Sequence, residues 1–358
     1  MNIRLKKKIL IIIIAVAALI AAGLTYFFTR PKKTYPKLTL RVYSSEDISA
    51  GSLAAGAEKF SEEFGCPVEF TNDFENCDLI YTSDDDFSDC QPIGEYINSK
   101  NSLYTKNIID ETCTQNGEIY GITHVLLGNL NYGIYYPDQF ADTPIPYQYY
   151  SKNQWTWDKF IDMTTALDSN ISIDWTMPYI NMKNALFYQK NDDALFNYGS
   201  KEQVEWLNFV RTLIFDKGVI DNTEGAFKIG FLPQMMLEEV NSGANARYIP
   251  WPTKTGKIGD MFVDEYHFCV PKTAQNAELS VILANYMIKS CTDTRLDLYR
   301  ASMTDEDFKI LKKQLDHIYT YPKHNKYVPA KSFIDDFTHG KTVTEHIYNV
   351  ENGVNSTK

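Results

Sequence analysis

The sequence has 358 residues, which is long enough for two domains that each bury a hydrophobic core. Its formal net charge is -11, but the first 33 residues carry seven basic residues and no acidic one. The rest of the chain has 28 basic against 46 acidic residues, so we expect no nucleic-acid partner.

An apolar run, Ile9–Phe28, follows a basic cluster at the amino terminus. The run is about as long as a bilayer core requires, and uncharged runs of this length are rare in soluble cores. We expect residues 1–33 to form a membrane anchor that holds the chain on the extracellular face of the cell membrane. The alternative is a signal peptide cleaved near Ala21 or Gly23, which would release a secreted form.

Six cysteines are present, with no CxxC pair and no Cys/His cluster at metal spacing: Cys66, Cys77, Cys90, Cys113, Cys269 and Cys291. Export would permit disulfides, and an even count is compatible with them. Free buried thiols are the alternative, and the pairing cannot be read from the sequence.

The first elements follow a β-α-β order. Residues 38–43 alternate as a strand, and residues 50–64 place apolar side chains on one helical face before Gly65. Short strands are then predicted in "PVEFT" and "DLIYTS", so a parallel sheet is expected. Ligands bind outside the carboxyl ends of such strands. This rule selects four residues: Ser44, Ser45, Ser83 and Asp84.

No catalytic pattern is visible. The stretch "DDDFSD" at residues 84–89 lacks the glycine and the distal glutamate of a calcium loop, which favours a solvated turn. The six histidines are scattered, without HExxH or triad order, and no GxSxG, Walker loop or carboxylate pair occurs. We therefore expect no enzyme, no cofactor and no metal.

Two tryptophans lie at the start of a predicted helix in "SKNQWTWDKFIDMTTAL", residues 151–167. Thr156 is a good N-cap, and Trp155 and Phe160 occupy the two positions of a hydrophobic staple. The local pattern predicts packing for both indoles.

Further helices are predicted over residues 201–215, 279–287, 305–318 and 342–350. Residues 225–240 are expected to be a strand leading into a helix. Strands are also expected before the "PWP" turn at residues 250–252 and in "YHFCVP".

Several blocks, taken in order, resemble the extracellular solute-binding proteins of ABC importers, in particular the carbohydrate-type family 1 receptors. They are "GEIYGITH" (117–124), "NYGIYYPDQFADTPIP" (131–146), "WTWDKFIDMTTAL" (155–167), "EQVEWLNFVRTLIFDKGVI" (202–220), "AFKIGF" (226–231) and the block from "IPWPTKTGK" to "ANYMIKS" (249–290). Nearly the whole chain beyond residue 38 is covered. In one departure, Leu24 stands where a lipobox cysteine would be, so no lipid anchor is expected there.

The resemblance implies a two-lobed α/β fold of the periplasmic-binding-protein-like type II class, closing by a hinge. Lobe one would hold residues 38–137 plus 262–300, and lobe two residues 138–261 plus 301–358. It also implies a monomer that captures a small solute, a sugar or oligosaccharide, and delivers it to ABC permease subunits. Two alternatives are a membrane-tethered sensing or binding protein without a permease, and an extracytoplasmic enzyme.

Sugar receptors combine flat aromatic rings with convergent polar groups. Trp251, fixed between two prolines, is the first stacking candidate. The next candidates for stacking are Tyr132, Trp175 and Tyr266. The candidates for polar contacts, chosen from their positions in predicted loops, are Ser44, Asp84 and Asn129. For each aromatic ring, the alternative is a place in the core.

Overall fold

The computed structural model describes residues 38–84, 86–97, 113–140, 142–167, 171–173, 187–190, 196–197, 199–219, 225–232, 236, 245–259, 261–263, 265–319, 326–327 and 330–355. The expected anchor at residues 1–33 lies outside these ranges. Within them, no helix is both long and apolar enough to span a bilayer.

The strands are β1 (Leu40–Ser44), β2 (Val68–Thr71), β3 (Leu79–Thr82), β4 (Thr114–Gln115), β5 (Glu118–Ile119), β6 (Gly121–Val125), β7 (Asn131–Tyr135), β8 (Ile171–Ile173), β9 (Phe187–Lys190), β10 (Phe196–Asn197), β11 (Phe227–Phe231), β12 (Arg247–Ile249), β13 (Met261–Phe262), β14 (Glu265–Cys269), β15 (Ile318–Tyr319) and β16 (Lys326–Tyr327). The α-helices are α1 (Gly51–Phe64), α2 (Pro146–Tyr150), α3 (Trp157–Ala166), α4 (Lys201–Arg211), α5 (Ala277–Ser302), α6 (Asp305–Gln314), α7 (Ala330–Thr338) and α8 (Val343–Asn355). A π-helical turn, Thr212–Asp216, extends α4.

The first sheet has the strand order β2-β1-β3-β14-β6. Strand β1 pairs in parallel with β2 and β3, as the β-α-β order predicted, and β14 runs antiparallel to β3 and β6. The carboxyl ends of β1, β3 and β6 therefore meet the start of β14 at one edge of the sheet.

Helices α1 and α5 pack closely against each other beside this sheet. A Cβ at Gly56 would lie 2.6 Å from the Cα of Met287, so this position must be a glycine for the backbones to approach. Gly65 ends α1 in the left-handed conformation, with φ of 66°, as the sequence predicted.

The second sheet has the order β12-β7-β11-β8. Strand β7 pairs antiparallel with β11 and with β12. The chain therefore changes sheet between β6 and β7, whereas the sequence suggested a boundary after residue 137, beyond β7. The sequence of residues 131–137 does not indicate that β7 belongs to the second sheet, because β11 and β12, the strands that pair with β7, come about 100 residues later.

The tryptophan-led helix α3 packs as predicted. Thr156 Oγ1 accepts a hydrogen bond from the Lys159 amide at 3.3 Å, and the rings of Trp155 and Phe160 pack edge to face with centroids 5.7 Å apart. Trp155 Nε1 also donates to the Pro250 carbonyl at 2.8 Å, and Trp157 Nε1 donates to that of Pro252 at 3.1 Å. The hydrogen bonds from both indoles therefore connect α3 to the segment 250–252, which follows β12.

All six cysteines are free thiols in the structure, and five of them are buried. Cys291, in α5, is half-buried. Of the two alternatives left by the sequence, the structure shows free thiols.

Candidate functional site

The loop after β1 is tied to β14 at the carboxyl edge of the first sheet. Ser44 Oγ accepts a hydrogen bond from the Glu46 amide at 3.1 Å, which turns the chain immediately after β1. The Tyr266 hydroxyl donates to Glu46 Oε1. A carboxylate and a phenol separated by 220 residues in the sequence are thus brought together at this edge.

An aromatic column continues from Tyr266 into the sheet. Its ring stacks on Tyr81, with centroids 4.8 Å apart and planes at 15°, and a hydrogen bond of 2.8 Å joins the Tyr81 hydroxyl to His124 Nδ1. Burial raises the pKa of Tyr81 and lowers the pKa of His124 to about 4. Both groups are therefore neutral near pH 7, beside the Glu46 carboxyl. Tyr81 covers one face of Tyr266, which is partly exposed.

A cavity of about 480 Å³ lies at the ends of β1 and β2. Its lining consists mainly of hydroxyl, carboxyl and amide side chains, with three apolar ones: Val42, Ser44, Ser45, Glu46, Asp47, Ile48, Ser49, Phe70, Thr71 and Asn72. The described residues of this lining include no cationic side chain, so they offer hydrogen bonds without selecting an anion. We call the cavity, together with Tyr266, Tyr81 and His124, the edge site.

The polar candidates have different positions. Ser44 is in the edge site. Asp84 follows β3 as predicted and is exposed, and its amide donates to Thr82 Oγ1 at 2.9 Å. Asn129 lies in a 3₁₀ turn, Leu127–Asn129, between β6 and β7. Trp175 lies outside the described residues.

Tyr132 and Trp251 are in hydrophobic cores. Tyr132 has no exposed surface, and burial raises its pKa well above the usual value. Trp251 is 4% exposed and packs between Phe160 and Phe209, with centroid distances of 5.4 and 6.1 Å. Neither ring presents a face for stacking in this structure. The core alternative weighed for both rings fits these positions better.

The sequence did not single out Glu46, Tyr81 or His124. Glu46 could have been found, because it follows Ser44 in the loop that the carboxyl-edge rule selects. Nothing in the local sequence marks Tyr81 as a binding residue, because a single aromatic residue inside an apolar strand usually lies in the hydrophobic core. Among the residues that the structure describes, no group of His, Cys, Asp or Glu could hold a metal ion.

No protein-family model matches the sequence, and no curated protein resembles it by sequence. Solved structures do resemble the fold. The sugar-binding protein MalE from Xanthomonas citri has a TM-score of 0.64 at 13% identity, covering 89% of this chain and 96% of that one. An extracellular solute-binding protein family 1 structure from Alicyclobacillus acidocaldarius has a TM-score of 0.64 at 13% identity, with coverages of 91% and 99%. The ABC substrate-binding protein Lmo0181 from Listeria monocytogenes, in complex with cycloalternan, has a TM-score of 0.56 at 14% identity, with coverages of 90% and 99%.

These structures match 89–91% of this chain, and the match leaves no large part of any of them uncovered. The two-lobed α/β fold implied by the sequence is confirmed.

Proposed function

We propose that this chain is an extracytoplasmic solute-binding receptor that captures a sugar or oligosaccharide and delivers it to an ABC permease. Three solved structures with the same fold are described as sugar-, substrate- or solute-binding proteins, which supports a binding protein over an enzyme. A membrane-tethered sensor is the alternative, and permease genes beside this one would favour transport.

The observation that carries this proposal is the Tyr266–Glu46 pair at the edge site. Sugars present apolar C–H faces beside dense hydroxyl groups, so their binding sites combine an aromatic ring with carboxyl and hydroxyl groups. Tyr266 has one ring face covered by Tyr81 and is partly exposed, while Glu46, Ser44 and Ser45 line the adjacent cavity. The lack of a cation among the described residues of that lining disfavours an anionic solute.

We further propose that the lobes divide where the chain changes sheet, between β6 and β7 and between β12 and β14. Hinge closure about these connections would bring residues of the second lobe onto a solute held at the edge site.

We expect Tyr266→Ala and Glu46→Gln each to weaken sugar binding at least tenfold, because one removes the ring and the other the charged acceptor. A thermal-shift screen of sugars and oligosaccharides, with peptides and polyamines as competing classes, would first identify the solute. A ligand at 100 times its dissociation constant adds about 2.7 kcal/mol to stability. Titration calorimetry would then compare the variants.

Glu63→Gln is the matched control, because Tyr286 donates to Glu63 at 2.6 Å on the α1–α5 surface, away from the edge site. Equal losses of affinity in Glu46→Gln and Glu63→Gln would argue against a specific role for Glu46. Unchanged affinity in both Tyr266→Ala and Glu46→Gln would place the solute elsewhere.

We also propose that Ile9–Phe28 keeps the chain in the membrane. The full-length protein should stay in the membrane pellet after a high-salt wash and should be released only by detergent. A soluble mature form beginning near residue 24 would show that the segment is a cleaved signal.

A further inference from the structure

A second cavity, of about 450 Å³, lies beside the connection between β6 and β7. It is lined by the end of β6 and the residues after it, by the first turn of α1, and by the carboxyl-terminal half of α5: Ser52, His124, Val125, Leu126, Leu127, Gly128, Cys291, Thr292, Thr294, Arg295 and Leu298. Among the described residues, it shares no lining residue with the 480 Å³ cavity, although His124 lines it and also belongs to the edge site through its hydrogen bond to Tyr81. We call it the connection cavity.

Among the described residues of this lining, Arg295 alone carries a formal charge at neutral pH. The pKa of His124 is lowered to about 4 by burial, and burial raises the pKa of Cys291 to about 11. The imidazole and the thiol are therefore both neutral. The remaining polar side chains are the hydroxyls of Ser52, Thr292 and Thr294, and that of Thr294 already donates to the Ser290 carbonyl at 2.8 Å.

The guanidinium of Arg295 lies against the backbone of the connection. Its Nη2 is 3.4 Å from the position that a Cβ would take at Gly128. Among the described residues, no carboxylate forms an ion pair with Arg295, whereas Arg41, Arg211 and Arg247 each have an acidic partner. A half-buried cation without a counter-ion attracts an anion more strongly than a fully solvated one does.

The rest of the lining is apolar. Val125, Leu126, Leu127 and Leu298 surround the same space, so a fully hydrated inorganic anion would leave them without a partner. The volume is within the usual range for a small-molecule site. We propose that the connection cavity binds a small monocarboxylate with an apolar body, its carboxylate on Arg295 and its body against these side chains. This proposal does not rest on the proposed sugar-binding function.

Benzoate is a suitable probe, with benzamide as its neutral counterpart and acetate and inorganic phosphate as anions without an apolar body. Calorimetric titration of the full chain should show binding of benzoate and at least tenfold weaker binding of the other three. Arg295→Leu should weaken benzoate binding by roughly 10- to 100-fold, the loss expected for a charge-assisted hydrogen bond, and Arg295→Lys by less. Lys289→Gln is the control on α5, because Lys289 pairs with Asp293 and does not line the cavity.

Alkylation of Cys291 locates the ligand independently. Cys291 lines the cavity and is half-buried, whereas the other five cysteines are buried. At alkaline pH, which ionises part of this high-pKa thiol, iodoacetamide should therefore modify Cys291 selectively, and peptide mass spectrometry would detect the product. Benzoate should slow this reaction in the wild-type chain and in Lys289→Gln, but not in Arg295→Leu. Benzoate binding that survives Arg295→Leu, or that leaves the alkylation rate unchanged, would overturn the proposal. Equal binding of phosphate or benzamide would overturn the ligand class.

Discussion

Replacing Asp307 by alanine should cost about 3–5 kcal/mol of the free energy of unfolding, because the change leaves the Arg247 guanidinium without its buried partner. The Asp307 side chain is fully buried, and that of Arg247 is 16% exposed. Both oxygens of Asp307 accept from Arg247, with Nε–Oδ2 and Nη2–Oδ1 distances of 2.8 Å. Urea denaturation, with the midpoint and slope fitted for each variant, would measure the loss.

The same carboxylate also accepts a hydrogen bond from the backbone of the second sheet. Asp307 Oδ2 also accepts from the Tyr248 amide of β12 at 3.2 Å, and the Asp307 amide donates to the N-cap Thr304 at 3.2 Å. Helix α6 is therefore attached to the second sheet by an ion pair and one hydrogen bond from the backbone of β12, and the alanine variant should loosen this attachment, whereas the N-cap bond to Thr304 remains.

Glu306→Ala is the matched control on the same arginine. Glu306 contacts Arg247 Nη2 at 3.2 Å, but its side chain is 62% exposed, so the pair is screened by water and should contribute about 0–1 kcal/mol. If the two alanine variants lost similar stability, burial of Asp307 would not be the source of the effect. A double change of Arg247 and Asp307 to apolar residues should recover much of the loss.

The local elements could be predicted from the sequence, because their signals lie within a few residues. Gly65 ends α1, Thr156 caps α3, and the alternation of residues 38–43 gives β1. The helix expected over residues 305–318 begins as predicted and ends at Gln314, followed by a 3₁₀ turn, Leu315–His317. The helix expected over residues 279–287 is much longer, Ala277–Ser302, because apolar packing against α1 and the β6–β7 connection continues beyond the periodic stretch.

The edge site could be predicted only in part. The rule that ligands bind at the carboxyl ends of parallel strands selects Ser44, because this rule requires only the end of β1 and no information on distant parts of the sequence. Tyr266 was chosen as one aromatic residue among several, and its contacts with Glu46 and Tyr81 depend on β14 entering the sheet beside β3. The pairing of β14 with β3 joins residues about 185 positions apart, and the hydrophobic pattern within either strand does not indicate it.

Trp251 shows how a local argument can suit two different environments. Two flanking prolines restrict the backbone and suggested a ring held ready for a ligand. The same restriction also suits a ring that fills a core. Here the carbonyls of Pro250 and Pro252 accept from Trp155 and Trp157, which draws the whole turn onto helix α3. Trp251 between them is then enclosed by Phe160 and Phe209.

Trp155→Ala and Trp251→Ala should each therefore cost about 3–5 kcal/mol of the free energy of unfolding, without changing solute affinity per folded molecule. The exposed fraction is 2% for Trp155 and 4% for Trp251, so each truncation leaves a cavity in the same aromatic core. Urea denaturation and titration of the folded fraction would measure the two quantities separately.

The phenylalanine variants distinguish what the two indoles contribute. Trp155→Phe removes the donor to the Pro250 carbonyl and should cost about 1–3 kcal/mol more than the lost ring volume alone, because that buried carbonyl loses its partner. Trp251 Nε1 is buried without a hydrogen-bond partner among the described residues, so Trp251→Phe removes no such bond and should be the milder of the two. The opposite order would mean that the indole nitrogen of Trp251 has a partner in solution. A Trp251→Ala chain that keeps its unfolding midpoint but no longer binds the solute would return this ring to the binding site, because only an indole outside the core can be removed without loss of stability.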